Sequence, residues 1–150
     1  MYRSSNVSMP GPGHYGHCDG SQGLLLGSMG PSLSNNTFTK NIVVSEAKER
    51  GQVDFVHVSH YGAGGFANST RGSTFDSNLY FSVAFTDPKL WPKPTPFGTF
   101  EEWRAAGYGT HSKVGDPKFR DASSGDFRLA AGSAAVEIGF VPLPEGLDRC

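Results

Sequence analysis

The sequence predicts an all-β fold of short strands, on three observations. The 150 residues include 20 Gly and 10 Pro against 37% hydrophobic residues, a composition of frequent turns between short apolar runs. The runs FTKNIVV (Phe38–Val44) and FDSNLYF (Phe75–Phe81) share one template, with Asn41 and Asn78 standing 37 positions apart. Helix signals gather in one place, between Thr99 and Gly107. Asn tolerates the left-handed backbone and bonds its own neighbours, so a strand is expected to begin after each of the two asparagines. Between them VDFVHV (Val53–Val58) reads as a third strand, with Val53, Phe55 and His57 on one face and Asp54, Val56 and Val58 on the other. Apolar residues on both faces suit a strand covered on each side.

Two architectures fit repeated turn-Asn-strand units at this spacing. One is a stack of coils in which each rung buries its inner side chains against the next. The other is a sandwich containing two similar strands. The Pro-rich connector Asp87–Gly98 follows, and then TFEEWRAAG, where Thr99 is an N-cap, Glu102 completes a capping box and Gly107 stops the helix. A helix over Phe100–Ala106 would lay Phe100 and Trp103 on one apolar patch and leave Glu101 and Arg104 in water.

The net charge of −1 and the lack of a basic run supply no source for counterion-release affinity, so nucleic acid is not an expected partner. No stretch approaches the roughly 18 apolar residues of a membrane helix, and no membrane span is expected. Nothing in the pattern sets an oligomeric state. The opening MYRSSNVSMPGPGHYGHCDGSQG has neither the layout of a secretory signal nor the periodicity of a first element, and reads as the internal start of a longer product. Cys18 and Cys150 fit a pair or two free thiols, and Asn6, Asn35 and Asn68 head sequons that matter only in a secreted eukaryotic chain.

Chemistry-bearing residues fall into a few groups. His14, His17 and Asp19 have the donor types of a divalent metal site, but in a Gly/Pro-rich segment with nothing to fix them they read as a solvated loop. No metal and no cofactor are expected, and the sequence does not support Ca²⁺. Asp54, His57 and His60 are the catalytic candidates, a carboxylate near two imidazoles being an acid/base set for glycan cleavage. On a regular strand, however, Asp54 and His57 point to opposite faces, while Asp54 and His60 can share one. Tyr61, Phe66, Tyr80 and Trp91 offer rings that could stack on sugars or fill the core. Of these, Tyr61 and the Pro-flanked Trp91 are the substrate-contact candidates. Asp116, Arg120, Asp121, Asp126 and Arg128, in the near-repeat GDPKFR (Gly115–Arg120) and GDFRL (Gly125–Leu129), read as turn and surface residues that pair locally. Phe119, Phe127 and Leu129 are expected in the core.

From Phe100 to Phe140 the order of motifs resembles the C-terminal segment of bacterial right-handed parallel β-helix proteins related to polysaccharide lyases and β-helix glycoside hydrolases, including the family 141 group. The matching steps are the helix, His111-Ser112, the Asp-Pro-x-Phe strand at Asp116–Phe119, the strand Gly125–Leu129 and the turn Gly132–Ala135; Ala134 stands where the family usually has Pro. Asn35–Val43 resembles a rung, and HYG (His14–Gly16) a tripeptide before one, which adds His14 to the substrate-contact candidates. The resemblance implies C-terminal rungs of a right-handed parallel β-helix with a short capping helix near residues 100–106. It divides the chain into a poorly matched segment 1–34, rungs and connector at 35–98, and helix with capping strands at 99–150. It further implies a polysaccharide or oligosaccharide partner, an extracellular or periplasmic setting, and the C-terminal portion of a polysaccharide-degrading hydrolase or lyase. A non-catalytic glycan-binding or structural module, or an inactive fragment, is the alternative.

Overall fold

The computed structural model describes residues 22–26, 34–58, 66–67 and 70–142. The strands are β1 (Gln22–Leu26), β2 (Thr37–Thr39), β3 (Ile42–Ser45), β4 (Asp54–Val58), β5 (Thr74–Asp76), β6 (Leu79–Ser82), β7 (Lys113–Val114), β8 (Phe119–Asp121) and β9 (Asp126–Leu129), with helix α1 at Phe100–Ala105. β1 pairs with β4 and β2 with β5, both in parallel; β3, β6 and β7 form a parallel three-stranded sheet, and β8 and β9 an antiparallel pair.

These small separate sheets correct the β-helix expectation. Among the described residues they neither close nor continue into coils: no strand exceeds five residues, and β7 has two. The physical cause is local. Lys40 (φ 58°) and Ser77 (φ 53°) adopt the left-handed backbone and break each expected run into two strands, while the connector before α1 carries Pro88, Pro92, Pro94 and Pro96, which cannot donate to a ladder. The 37-residue spacing itself survives as a pairing register, with Phe38 opposite Phe75 and Ile42 opposite Leu79. β1 is a strand that the sequence reading did not anticipate.

At the break between the paired strands, Asn78 does the joining. Its Oδ1 accepts from Asn41 N (3.0 Å) and Asn41 Nδ2 (3.1 Å), and its Nδ2 donates to Phe38 O (2.8 Å). Its own backbone amide donates to Ser112 Oγ at 3.1 Å, so three passes of the chain meet at one buried residue. Backbone groups that a bent strand leaves unpaired are thereby satisfied.

Side-chain alternation along β3 and β6 puts successive residues on opposite faces. Ile42 and Leu79 pack with Ala135 and Ile138 of the C-terminal turns, whereas Val43 and Tyr80 join an aromatic core with Phe55, Phe75, Trp91, Phe100 and Trp103. Both faces of this sheet are covered, as the apolar content of the strands requires. Phe38 stacks on Phe75 at 4.8 Å, and Phe55 lies 5.0 Å from Trp91 and 5.5 Å from Tyr80, contacts of about 0.5–1.5 kcal/mol each beyond area burial.

α1 carries the expected capping box: Thr99 Oγ1 accepts from Glu102 N, and the Glu102 carboxylate accepts from Thr99 N at 2.8 Å. Phe100 and Trp103 are buried, while Glu101 and Arg104 are exposed. Gly109 (φ 60°) then passes so close to Trp103 that a Cβ there would sit 2.6 Å from the indole nitrogen. Only glycine fits both the backbone angle and that approach.

The near-repeat pairs with itself: Phe119 faces Leu129 and Asp121 faces Asp126 across the 3-10 turn Ala122–Ser124. The strand expected from Asp116 begins only at Phe119, after Lys118 at φ 52°. Phe119 and Leu129 pack against the Ile42 cluster, but Phe127 is half-buried and makes its ring contact with Phe119 at 5.4 Å, a correction to its expected place in the core.

Two outcomes follow for denaturant unfolding. Asn78→Ala removes acceptor and donor together and is expected to lower stability by about 2–4 kcal/mol, since the amide of Asn41 and the carbonyl of Phe38 lose their partner. Phe55→Ala should cost about 3–5 kcal/mol and Phe127→Ala about 1–2, so equal losses would contradict the burial difference between them.

Candidate functional site

After α1 the chain turns through Gly109 and comes back alongside β6. Ser112 N bonds Gly109 O, Lys113 N bonds Asn78 O, and Arg104 donates a guanidinium N–H to Ser112 O at 3.0 Å. This return places two features side by side.

The first is a carboxylate–imidazole pair. Both oxygens of Asp76 at the end of β5 are engaged by one residue: Oδ1 accepts from the His111 amide at 2.7 Å, and Oδ2 lies 2.6 Å from His111 Nδ1. The Asp76 side chain is 25% exposed and that of His111 76%, so the carboxylate sits behind the ring and the ring stands in water. Partial burial works to raise the Asp76 pKa, but the bond from the His111 ring, those from the His111 and Ser77 amides, and the nearness of the imidazole outweigh it and hold the group below its ordinary value. An ionised Asp76 accepts Nδ1–H, which leaves the lone pair of the neutral ring on Nε2.

The second is an open groove of ≈ 740 Å³ between the 3-10 turn Pro88–Leu90, α1 and β7. The exposed Pro88 gives it apolar wall, Lys89, Arg104 and Lys113 line it with cations, and Glu101 brings a carboxylate. Lys113 also pairs with the exposed Glu137, whose carboxyl is held below its ordinary value by that bond. Ser112, the residue after His111, belongs to the groove wall.

The residues expected to act are differently placed. Trp91 is a core residue, 2% exposed, with its indole N–H donated to Phe85 O at 2.6 Å and its ring against Phe55 and Phe100. It presents no face on which a sugar could stack, because Phe55 and Phe100 close on its ring while the flanking Pro88 and Pro92 stay exposed. Phe66 and Tyr80 are buried too, and burial pushes the Tyr80 hydroxyl well above its ordinary value despite the bonds of Asn78 and Ser112. Asp54 is half-buried opposite Gln22 in the β1–β4 pair, and His57 stands opposite Leu25. His14, His17, Asp19, His60, Tyr61, Cys18 and Cys150 lie outside the described residues. Asp126 forms a two-point pair with Arg128, Nε at 2.8 Å and Nη2 at 2.6 Å, which holds its carboxyl down to about 2. That is the local pairing expected of the near-repeat.

Asp76 and His111 went unrecognised as a pair in the sequence because 35 positions separate them. Their signal is the register: Asp76 stands two before Asn78, and His111 stands one before the serine that bonds Asn78. In comparisons with known proteins, no family model, no curated protein and no solved structure matches the chain. The resemblance described above rests on its quoted motifs alone. Among the described residues, no helix is long and apolar enough to cross a membrane.

The pair makes a pH dependence. A carboxyl whose folded pKa is depressed contributes stability above its unfolded value, here 3.8, and that contribution is lost as pH falls through the lower folded value. Urea midpoints taken from about pH 6 down to about pH 2 should therefore fall less steeply on the acid side for Asp76→Asn than for the parent chain. Parallel curves would show that Asp76 gains nothing from His111 on folding.

Proposed function

We propose that the chain binds an acidic polysaccharide or oligosaccharide in the groove along α1, as part of a carbohydrate-active protein that meets its glycan outside the cytoplasm. The observation that carries this reading is the lining: the exposed ring of Pro88 beside Lys89, Arg104 and Lys113, with Glu101 as the opposing charge. Sugar rings have apolar faces that suit such surface, and uronate carboxylates suit guanidinium and ammonium groups. An overall charge of −1 makes this cationic lining a local feature rather than a general affinity for polyanions. The motif order from Phe100 to Phe140, similar to carbohydrate-active proteins, supports the same partner class.

Calorimetric titration with polygalacturonate oligomers and with neutral xylo-oligosaccharides tests this. The acidic oligomers should bind more tightly, with an affinity that falls as salt is added. Lys89→Ala and Lys113→Ala should each weaken binding by about 2- to 5-fold, the range of an exposed charge contact. Equal affinity for neutral and acidic oligomers, or indifference to both substitutions, would overturn the reading.

A further inference from the structure

We propose that Asp76 and His111 form a general-base site that hydrolyses an O-acyl ester on the glycan held in the adjacent groove. This deepens, and rests on, the groove reading above. Two bonds from one residue to one carboxylate, 2.7 Å from the His111 amide and 2.6 Å from Nδ1, fix both the ring's orientation and its tautomer. In the neutral ring with Nδ1–H on Asp76 the other edge carries the lone pair, and the side chain is 76% exposed, so Nε2 then faces water. The turn that holds His111 is braced by Asn78 N on Ser112 Oγ and by Arg104 on Ser112 O, which ties the base to the groove wall.

Ester hydrolysis is the chemistry this set can perform. Cleavage of a glycosidic bond calls for two carboxyl groups flanking the bond, and the carboxylate here is already committed to His111. An acyl ester calls for a base and a group that stabilises an oxyanion. In the first step, water adds through its oxygen to the acyl carbon while its proton passes to Nε2, and the carbonyl electron pair moves onto oxygen. Arg104 spends one N–H on Ser112 O, and a guanidinium has five, which makes it the cation suited to that oxyanion. In the second step, the oxyanion re-forms the carbonyl, the bond to the sugar oxygen breaks, and the imidazolium returns its proton to that oxygen. The products are a free sugar hydroxyl and a carboxylic acid that releases its proton to solvent. His111 is the catalytic base, and Asp76 is a positioning residue acting through it.

Acetate release from acetylated polygalacturonate by the 150-residue chain tests the proposal. The rate should exceed that of an equal concentration of free imidazole and should fall by about 100-fold or more in His111→Gln, with glycan affinity unchanged. His111→Ala serves as a second variant, and circular dichroism shows whether either substitution unfolds the turn. Asp76→Asn should lower kcat by about 10- to 100-fold and leave KM in place, a split that loss of fold would not produce. Release no faster than free imidazole, or undiminished in a folded His111→Gln, overturns the proposal. If the glycan binds and no ester is cleaved, the base site alone fails. If the glycan does not bind but 4-nitrophenyl acetate is cleaved faster than by imidazole in a His111-dependent way, the groove reading fails and the base site stands.

Discussion

The pairing of β2 with β5 and of β3, β6 and β7 depends on the buried amide of Asn78. A strand that bends through a left-handed residue leaves amides and carbonyls without partners, and burying them unpaired would cost about 1–3 kcal/mol each. Asn78 answers this on both sides at once, accepting from Asn41 and donating to Phe38 O, while its own amide finds Ser112 Oγ. Because that residue touches an earlier and a later pass of the chain, the bend in one layer sets the bend in the next. The Lys40 and Ser77 breaks therefore coincide, with Lys40 N bonded to Ser77 O at 2.9 Å. Core packing follows: only with these breaks aligned do Phe38 and Phe75 stack and do Val43 and Tyr80 turn toward the same aromatic cluster.

The same constraint places the candidate site. Asp76 reaches its position two residues before Asn78, and His111 reaches its own one residue before Ser112. The Asn78–Ser112 bond thus brings the carboxylate and imidazole to the same surface edge. α1 contributes from the other direction: Phe100 and Trp103 anchor it to the core, which leaves Arg104 outside and over the returning strand. Stability and site are consequently built on shared residues, and substitutions at Asn78 or Ser112 would disturb both.

How much of this was legible in the sequence varies with the range of the interaction. The helix start is legible in Thr99 and Glu102, because capping is a contact within one turn, while the helix ends at Ala105, one residue before the expected Ala106. The strand starts after Asn41 and Asn78 were legible for the same reason, and their spacing became the pairing register. Burial was harder to read. Trp91 among prolines looked like an exposed loop residue, yet its fate was set by Phe55 and Phe100, which are distant in sequence. Phe127 is expected in the core with Phe119 and Leu129, but the end of a short hairpin covers it only in part. The β-helix expectation came from motif order, which carries no information on whether strands of two to five residues join into coils, and in the described residues they do not. The Asp76–His111 pair needed the three-dimensional register before its members could be associated.

The offset between paired strands also bears on the order in which the molecule can assemble. β2 with β5 and β3 with β6 join positions 37 apart, and the chain between must be closed before either pair is rewarded with a ladder. The hairpin of β8 and β9 closes across a single 3-10 turn and has no such wait. The doubled GDPKFR and GDFRL stretch is thus the part of the chain able to form early and locally, while the sheet that carries Asn78 belongs to the slower, long-range stage of folding.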